Sequence, residues 1–345
     1  MWRTSLKIES CPHSGEGNLP CVSLRVSRMG CLRVSFRDLL KVLFSEKDEV
    51  MDRIIRCITS DGAVMAAAID SSDLVDTAQR IHGTSAVGTA ALGRLLTASS
   101  VMGAMLKVNG ATVTLRINGG GPLGTVTAIA DSRGYCRGYV EHPEVDLPLR
   151  PDGKLDVRGA IGTDGRLAVI RDMGSGEPYT GQVEIVSGEI AEDITSYYAV
   201  SEQIPTVCAL GVLVGREDHR VMLAGGLLIQ VLPGADDAAI SKLEQNVSTL
   251  EPVTTMLAKG MTIEEICRTA LAGFEMEILD EYKVGYACDC SRERVVRAIS
   301  TLPMQEILSL ADEKTGYAEA KCQYCGKVYR LSREELQKIA EAARK

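Results

Sequence analysis

Aromatic side chains are scarce in this chain of 345 residues: Phe, Trp and Tyr together make up 4%. The core must therefore be mostly Val, Leu, Ile, Ala and Met, within a globular composition that is 45% hydrophobic and 24% charged. Positive charge is also in short supply. The formal net charge is −8, which argues against a protein whose main task is gripping phosphate backbones. No run approaches the ~18 apolar residues that a membrane helix needs. The N-terminus lacks the basic, apolar and small-residue regions of a secretory signal, so the expected location is the cytoplasm. The 11 cysteines are odd in number and scattered, which speaks against a secreted disulfide scaffold. In a reducing compartment, clustered cysteines point to metal or redox chemistry. The length leaves room for two or three domains with a real buried core.

Residues 1–50 differ from the rest. They hold the only Trp (Trp2), two of the three Phe (Phe36 and Phe44) and three isolated cysteines (Cys11, Cys21 and Cys31). Eight basic and six acidic residues give them a charge of +2. They follow neither a helical nor an alternating period. Two readings stand: a regulatory or targeting arm, or a non-native, disordered extension with Met51 as the true start. The second is the expectation.

From Met51 the pattern becomes regular. Residues 53–69 read as a hairpin turning at Asp61-Gly62. A helix follows, capped by Ser71 or Ser72 and stopped by Gly83. Residues 84–107 form a longer helix with small residues along it, suited to close packing. Strand patterns then occupy 111–117, 124–131, 134–141, 166–172 and 181–187. A helix is expected over 187–203. A last hairpin turns around Glu217, Asp218 and His219. The fold class is α+β, with a largely antiparallel sheet and packed helices over 51–232.

Several residues here invite a catalytic reading, and each has a simpler one. "NGGGPLG" (118–124) lacks the Lys-Ser/Thr of a phosphate loop and joins two strands; a tight turn suffices. His82 has no nucleophile signature beside it and reads as structural. Glu189, Glu192 and Asp193 suit the first turn of a helix through its dipole. Cys57, Cys136 and Cys208 fall within strand patterns, where buried, inert thiols are the rule. No enzymatic site emerges.

Residues 233–287 open on a Pro-Gly break and carry ten acidic against four basic residues. They predict helices over 236–250, near 253–259 and over 262–272, the third capped by Thr262 with Glu265. Helices this short are marginal in water and need a surface to lie on. Their apolar stripe comprises Ile240, Leu243, Val247, Leu250, Met256, Leu257, Ile263 and Ile266. The segment is either a fixed helical connector or one that can undock.

Cys288 and Cys290 stand in "CDC", and Cys322 and Cys325 in "CQYCGK", with 31 residues between the pairs. Four thiolates satisfy the tetrahedral preference of Zn²⁺ and leave no position open for substrate. An iron–sulfur cluster or a bare pair of dithiols are the alternatives. Between the pairs lie two helical stretches and a strand leading into Cys322. A domain spanning only 288–345 cannot bury a large core, and a metal would hold it together. Oxidising the thiolates would remove the metal's ligands and the folding energy it supplies.

These two pairs resemble those of the redox-regulated 33-kDa chaperonin family (heat shock protein 33). The likeness extends over "HGTSAVGTAALGRLLTAS", "NGGGPLGTVTAIAD", "RGYVEHPEVDLPL", "SGEIAEDITSYYAVSEQ" and "LLIQVLPGA", and so across residues 51–340. The resemblance implies a holdase that needs no ATP. In the reduced form one Zn²⁺ per chain is held by Cys288, Cys290, Cys322 and Cys325. Under oxidative stress the disulfides Cys288–Cys290 and Cys322–Cys325 form, zinc leaves, and the zinc domain and the linker over 233–287 unfold. Apolar surface then meets unfolding client proteins, and Leu243, Val247, Leu250 and Ile266 are the expected contacts. The family dimerises when active; neither nucleic acid nor membrane is an expected partner.

Two other classes compete. A zinc-ribbon nucleic-acid regulator draws on "SRERVVR", yet residues 288–330 hold seven basic against six acidic groups. A thiol oxidoreductase draws on the Cys322–Cys325 spacing, without the helix N-terminus that lowers a thiol pKa.

Overall fold

The computed structural model describes residues 22–24, 32–34, 52–215, 219–312 and 314–342. Met1–Val50 form one compact unit and Met51–Lys345 another. In the first, β1 (Val22–Leu24) pairs antiparallel with β2 (Leu32–Val34). Trp2, Cys11, Cys21, Cys31, Phe36 and Phe44 lie outside the described residues.

In the second unit, β3 (Arg53–Thr59) and β4 (Val64–Asp70) form the expected hairpin. Gly62 turns it at φ 70°, a conformation that glycine adopts without strain. Helix α1 (Ser72–His82) ends at Gly83 in the left-handed region. Ser71 holds its N-cap position, but the Ser71 hydroxyl bonds Thr97 at 2.8 Å. The Asp52 carboxylate caps instead, accepting from the Asp73 and Leu74 amides at 3.0 and 2.5 Å.

Helix α2 (Ala86–Ala104) is buried on nearly every side, its few hydroxyls bonding within the protein, as Thr97 does to the Gly93 carbonyl at 2.8 Å. Its small residues set how closely it can lie. A Cβ at Gly103 would stand 2.4 Å from the Asp131 carbonyl oxygen. Around it fold β5 (Thr112–Gly120), β6 (Val126–Asp131), β7 (Cys136–Val140), the short helix α3 (Val157–Ile161), β8 (Gly162–Asp172) and β9 (Tyr179–Glu184). Helix α4 (Ala191–Tyr197) passes into a π-helical turn, Tyr198–Glu202. The helix expected over 187–203 thus starts later, because Ile190 takes φ 70°. The buried Asp193 carboxylate binds the amides of Val186, Ser187 and Ile190 at 2.8–3.0 Å.

Strands β10 (Thr206–Val214) and β11 (Val221–Val231) make the last expected hairpin. Glu217 and Asp218 of its turn lie outside the described residues. Helices α5 (Asp237–Ser248), α6 (Val253–Ala258) and α7 (Ile263–Ala270) follow. The Thr262–Glu265 capping box opens α7. Next comes a strand that the sequence reading left unassigned, β12 (Met276–Lys283), paired antiparallel with β3. The chain ends with α8 (Arg292–Ile299), α9 (Met304–Ser309), β13 (Tyr317–Lys321), β14 (Val328–Ser332) and α10 (Arg333–Ala342).

Two five-stranded antiparallel sheets result, in the orders β10-β11-β4-β3-β12 and β7-β6-β5-β8-β9. Helix α2 shares one hydrophobic core with inward residues of both, such as Ile69, Leu228, Leu115 and Ala128. The first sheet is buried on its other face as well. There Ile55, Cys57, Ala66, Ala68, Leu227 and Ile229 meet the helices of the 233–287 segment. Burial on two faces explains why β4 and β11 read as continuous apolar runs rather than alternating ones. The cysteine region has a small core of its own around Ile307, Leu331 and Leu336.

Candidate metal centre

Two backbone devices bring the four thiols together. Cys288 and Cys290 lie outside regular secondary structure between β12 and α8. There Ser291 caps the helix, its hydroxyl accepting from the Arg294 amide at 3.3 Å. Cys322 and Cys325 sit in the turn joining β13 to β14. The Gly326 amide donates to the Cys322 carbonyl, and the Cys322 amide to the Lys327 carbonyl, both at 2.9 Å. Gly326 has φ 71°, so the glycine after the second cysteine is what lets the turn close. All four sulfurs lie within 4.8 Å of one another and are half-buried. Cys288 and Cys322 approach to 3.7 Å, Cys290 and Cys325 to 3.3 Å.

A tetrahedron with metal–sulfur bonds of ~2.3 Å has edges of roughly 3.8 Å. The 3.7 Å separation matches that edge and the 3.3 Å one is shorter, and four soft donors suit Zn²⁺. Burial pushes the Cys288 thiol up, while the Tyr329 hydroxyl, 3.1 Å from its sulfur, draws Cys290 down to about 7.

The centre is anchored to β7, an edge strand of the second sheet. Cys136 and Tyr286 form a parallel bridge, with Cys136 donating to the Gly285 carbonyl at 3.1 Å and Ala287 donating to the Cys136 carbonyl at 2.9 Å. The Tyr286 hydroxyl contacts the carbonyls of Gly138 and Tyr324. His82 Nε2 lies 3.1 Å from the same hydroxyl, and burial lowers its pKa. His82 is thus the satisfied structural histidine expected. Arg137 pairs with Asp289 at 2.9 Å and stacks 5.4 Å from the Tyr324 ring. Tyr139 meets that ring edge-on at 5.3 Å.

The linker side is equally tied. Arg53 grips both oxygens of Glu264 on α7, at 2.5 and 2.9 Å, and reaches Glu281 on β12 at 3.1 Å. Arg56 holds Asp280 through its Nε at 2.7 Å. Leu243 and Ile266 are buried against the sheet, and Val247 and Leu250 pack there half-buried. The other expected stripe residues dock too, except that Ala239 takes the inward position beside a half-exposed Ile240.

The other candidates have structural roles. Residues 118–124 turn from β5 into β6. The turn leaves no cradle, since a Cβ at Gly119 would lie 2.2 Å from the Gly162 carbonyl oxygen. Glu189 pairs with Arg94 and Arg150 at 2.7 and 3.0 Å. Cys57 and Cys136 are buried, and Cys208 is half-buried in β10 with its thiol pushed up to about 12. The basic residues of "SRERVVR" are engaged in part: Arg292 with Glu335 at 2.5 Å and Arg294 with Asp289 at 2.7 Å. The sequence reading missed Tyr286, Tyr324, Arg137 and Tyr329. Only the closeness of Tyr286, Tyr324 and Tyr329 to the cysteine pairs hints at them.

The family model of the Hsp33 protein matches residues 52–332. The chain belongs to that family. A 33 kDa chaperonin of Clostridioides difficile is 46% identical over 288 residues, covering 84% of this chain and 98% of its own. That of Bacillus subtilis is 44% identical over 291 residues, covering 84% and 99%. The crystal structure of the Thermotoga maritima 33 kDa chaperonin superposes with a TM-score of 0.77 at 32% identity. It covers 85% of this chain and 98% of that one. These relatives support a chaperone function for this Hsp33 chain. No helix among the described residues is long and apolar enough to cross a membrane.

Proposed function

We propose that this protein is a redox-regulated, ATP-independent holdase, not an enzyme, acting in the cytoplasm. The single observation that supports it best is the four-thiol cluster, gathered within 4.8 Å where the chain leaves a linker that covers an apolar sheet face. In the reduced state Cys288, Cys290, Cys322 and Cys325 hold one Zn²⁺. When bound, the metal supplies folding free energy on the order of 10 kcal/mol to a domain with a small core. Peroxide then oxidises each pair. Two thiols and one hydrogen peroxide give a disulfide and two waters, yielding Cys288–Cys290 and Cys322–Cys325. The thiolates no longer serve as ligands, and the zinc domain over 288–345 loosens.

Loosening spreads through covalent continuity. Strand β12 and the segment bearing Cys288 are adjacent in the chain, so residues 233–287 lose one anchor. Helices α5 to α7 are individually too short to persist alone. Their release exposes Leu243, Val247, Leu250 and Ile266, together with the sheet face beneath, to unfolding client chains. The core domain over 51–232 stays folded, residues 1–50 are a dispensable extension, and the oxidised form is a homodimer. The test is suppression of client aggregation by reduced and by peroxide-treated protein, with zinc release followed in parallel. Holding by the oxidised form alone supports the reading; equal holding by both forms overturns it.

A further inference from the structure

Tyr329 lies on β14 and is 7% exposed. Pleating alternates Val328 and Arg330 outward with Tyr329 and Leu331 inward. Four residues after Cys325, the strand therefore aims a buried phenol back at the cluster. Its hydroxyl stands 3.1 Å from the Cys290 sulfur. Among the described residues, no other side-chain hydroxyl, amide or cation has a hydrogen bond to a cluster sulfur. The ring is held independently, with Lys327 Nζ 5.2 Å from its centre and Ala320 opposite on β13.

We propose that Tyr329 restrains the oxidation of Cys290, and so sets how much peroxide the Cys288–Cys290 pair withstands. The inference rests on the redox reading above. With a metal bound, all four sulfurs are thiolates, so thiolate fraction cannot distinguish them. Intrinsic nucleophilicity then decides, and it falls as electron density is drawn off the sulfur. The step is attack of the Cys290 sulfur's electron pair on a peroxide oxygen. The O–O bond breaks, an S–O bond forms, and the departing hydroxide takes a proton to become water. The Cys288 sulfur then displaces the oxygen, again as water after protonation, and the disulfide forms. The Tyr329 hydrogen bond occupies and stabilises the attacking electron pair. A bond that withdraws one to two powers of ten in basicity slows such attack about three- to tenfold.

The experiment follows Tyr329→Phe in the full chain, which keeps the ring and its stacking and removes only the hydroxyl. Reduced, zinc-loaded wild type and variant are treated with limiting hydrogen peroxide, quenched by alkylation and mapped by mass spectrometry. Cys290 should oxidise about three- to tenfold faster in the variant, while Cys322 keeps its rate. Equal Cys290 rates, or acceleration of all four cysteines together, overturn the proposal. A second measurement needs no variant. Cadmium-113 loaded wild type should show scalar coupling between the metal and the Tyr329 hydroxyl proton, and its absence also overturns the proposal. A wild-type chain that binds no zinc, or keeps it under peroxide, fails the redox reading itself, a result distinct from unchanged rates in a zinc-releasing protein.

Discussion

The contact between Gly211 on β10 and Thr254 on α6 isolates linker docking from the chemistry of the cysteines. A Cβ built on Gly211 would stand 2.5 Å from the Thr254 Cγ2. Ordinary carbon–carbon contact is about 3.5–4.0 Å, so Gly211→Ala demands a shift of roughly 1 Å. Thr254 belongs to the helix that would have to move, while Gly211 is held in the pairing of β10 with β11. Overpacking of this kind costs about 1–3 kcal/mol, or about 5- to 150-fold in the docking equilibrium. Little of that strain falls on the main core, since the clash lies on the linker-facing side. The expected outcome is faster hydrogen exchange over residues 237–270 in the reduced, zinc-loaded protein, with α2 unchanged. Client holding should appear at lower peroxide. Thr254→Ala removes the clashing methyl and should have a small effect alone. Combined with Gly211→Ala it should restore protection, giving a coupling energy of the same sign and size as the single-site cost. Unchanged exchange in Gly211→Ala, or failure of Thr254→Ala to rescue it, would refute the argument that α6 is seated by the absence of a side chain.

Cys290→Ser should lower zinc affinity at least tenfold, read by metal release to a chromophoric chelator, because a hydroxyl is a poor substitute for a soft thiolate. Asp52 has its pKa raised to about 7, chiefly by burial, against the lowering pull of the Leu74 and Asp73 amides. Its contribution to stability is present in full below the unfolded value near 3.8 and is lost as pH rises through about 7. The melting temperature of Asp52→Asn relative to wild type should therefore climb from pH 4 to pH 8, and a flat difference would contradict it. Ile266→Ala removes a side chain that is 1% exposed and should weaken linker docking by about 2–5 kcal/mol, measured as exchange confined to α5–α7. A chain beginning at Met51 should keep the zinc content and melting midpoint of the full protein; a large fall would show that residues 1–50 contribute to the body.

The cysteine spacing was legible because ligand chemistry restricts which residues can serve and how far apart they stand. Helix α1, the capping box of α7 and the hairpins at 53–69 and 206–231 were legible through local turn and cap signals. Strand β12 was not. Its register slips between Ile278 and Asp280, which breaks the alternation, and it carries Glu277, Asp280 and Glu281 in a run that reads as solvated. The partners that make those charges useful, Arg53 and Arg56, are more than two hundred residues away in sequence. Tyr329 was hidden for another reason. A tyrosine in a short strand has the same local signature whether its hydroxyl meets water or a sulfur. Burial on both faces of the first sheet also erased the period that would have told its two sides apart.

The pairing of β12 with β3 has a kinetic consequence. Strands β11 and β12 belong to one sheet, so the covering helices between them form a closed loop stitched at both ends, not a free tail. While β12 stays paired, lifting the helices leaves them tethered above their own seat. Return is then a first-order event, independent of protein concentration, at the millimolar effective concentrations typical of short tethers. Lengthening such a loop weakens recapture only logarithmically. Under the function proposed above, a client on the bared sheet would compete with an ever-present internal occupant. On the redox reading proposed above, return to reducing conditions sets that stitched loop, and not a free tail, in competition for the sheet face.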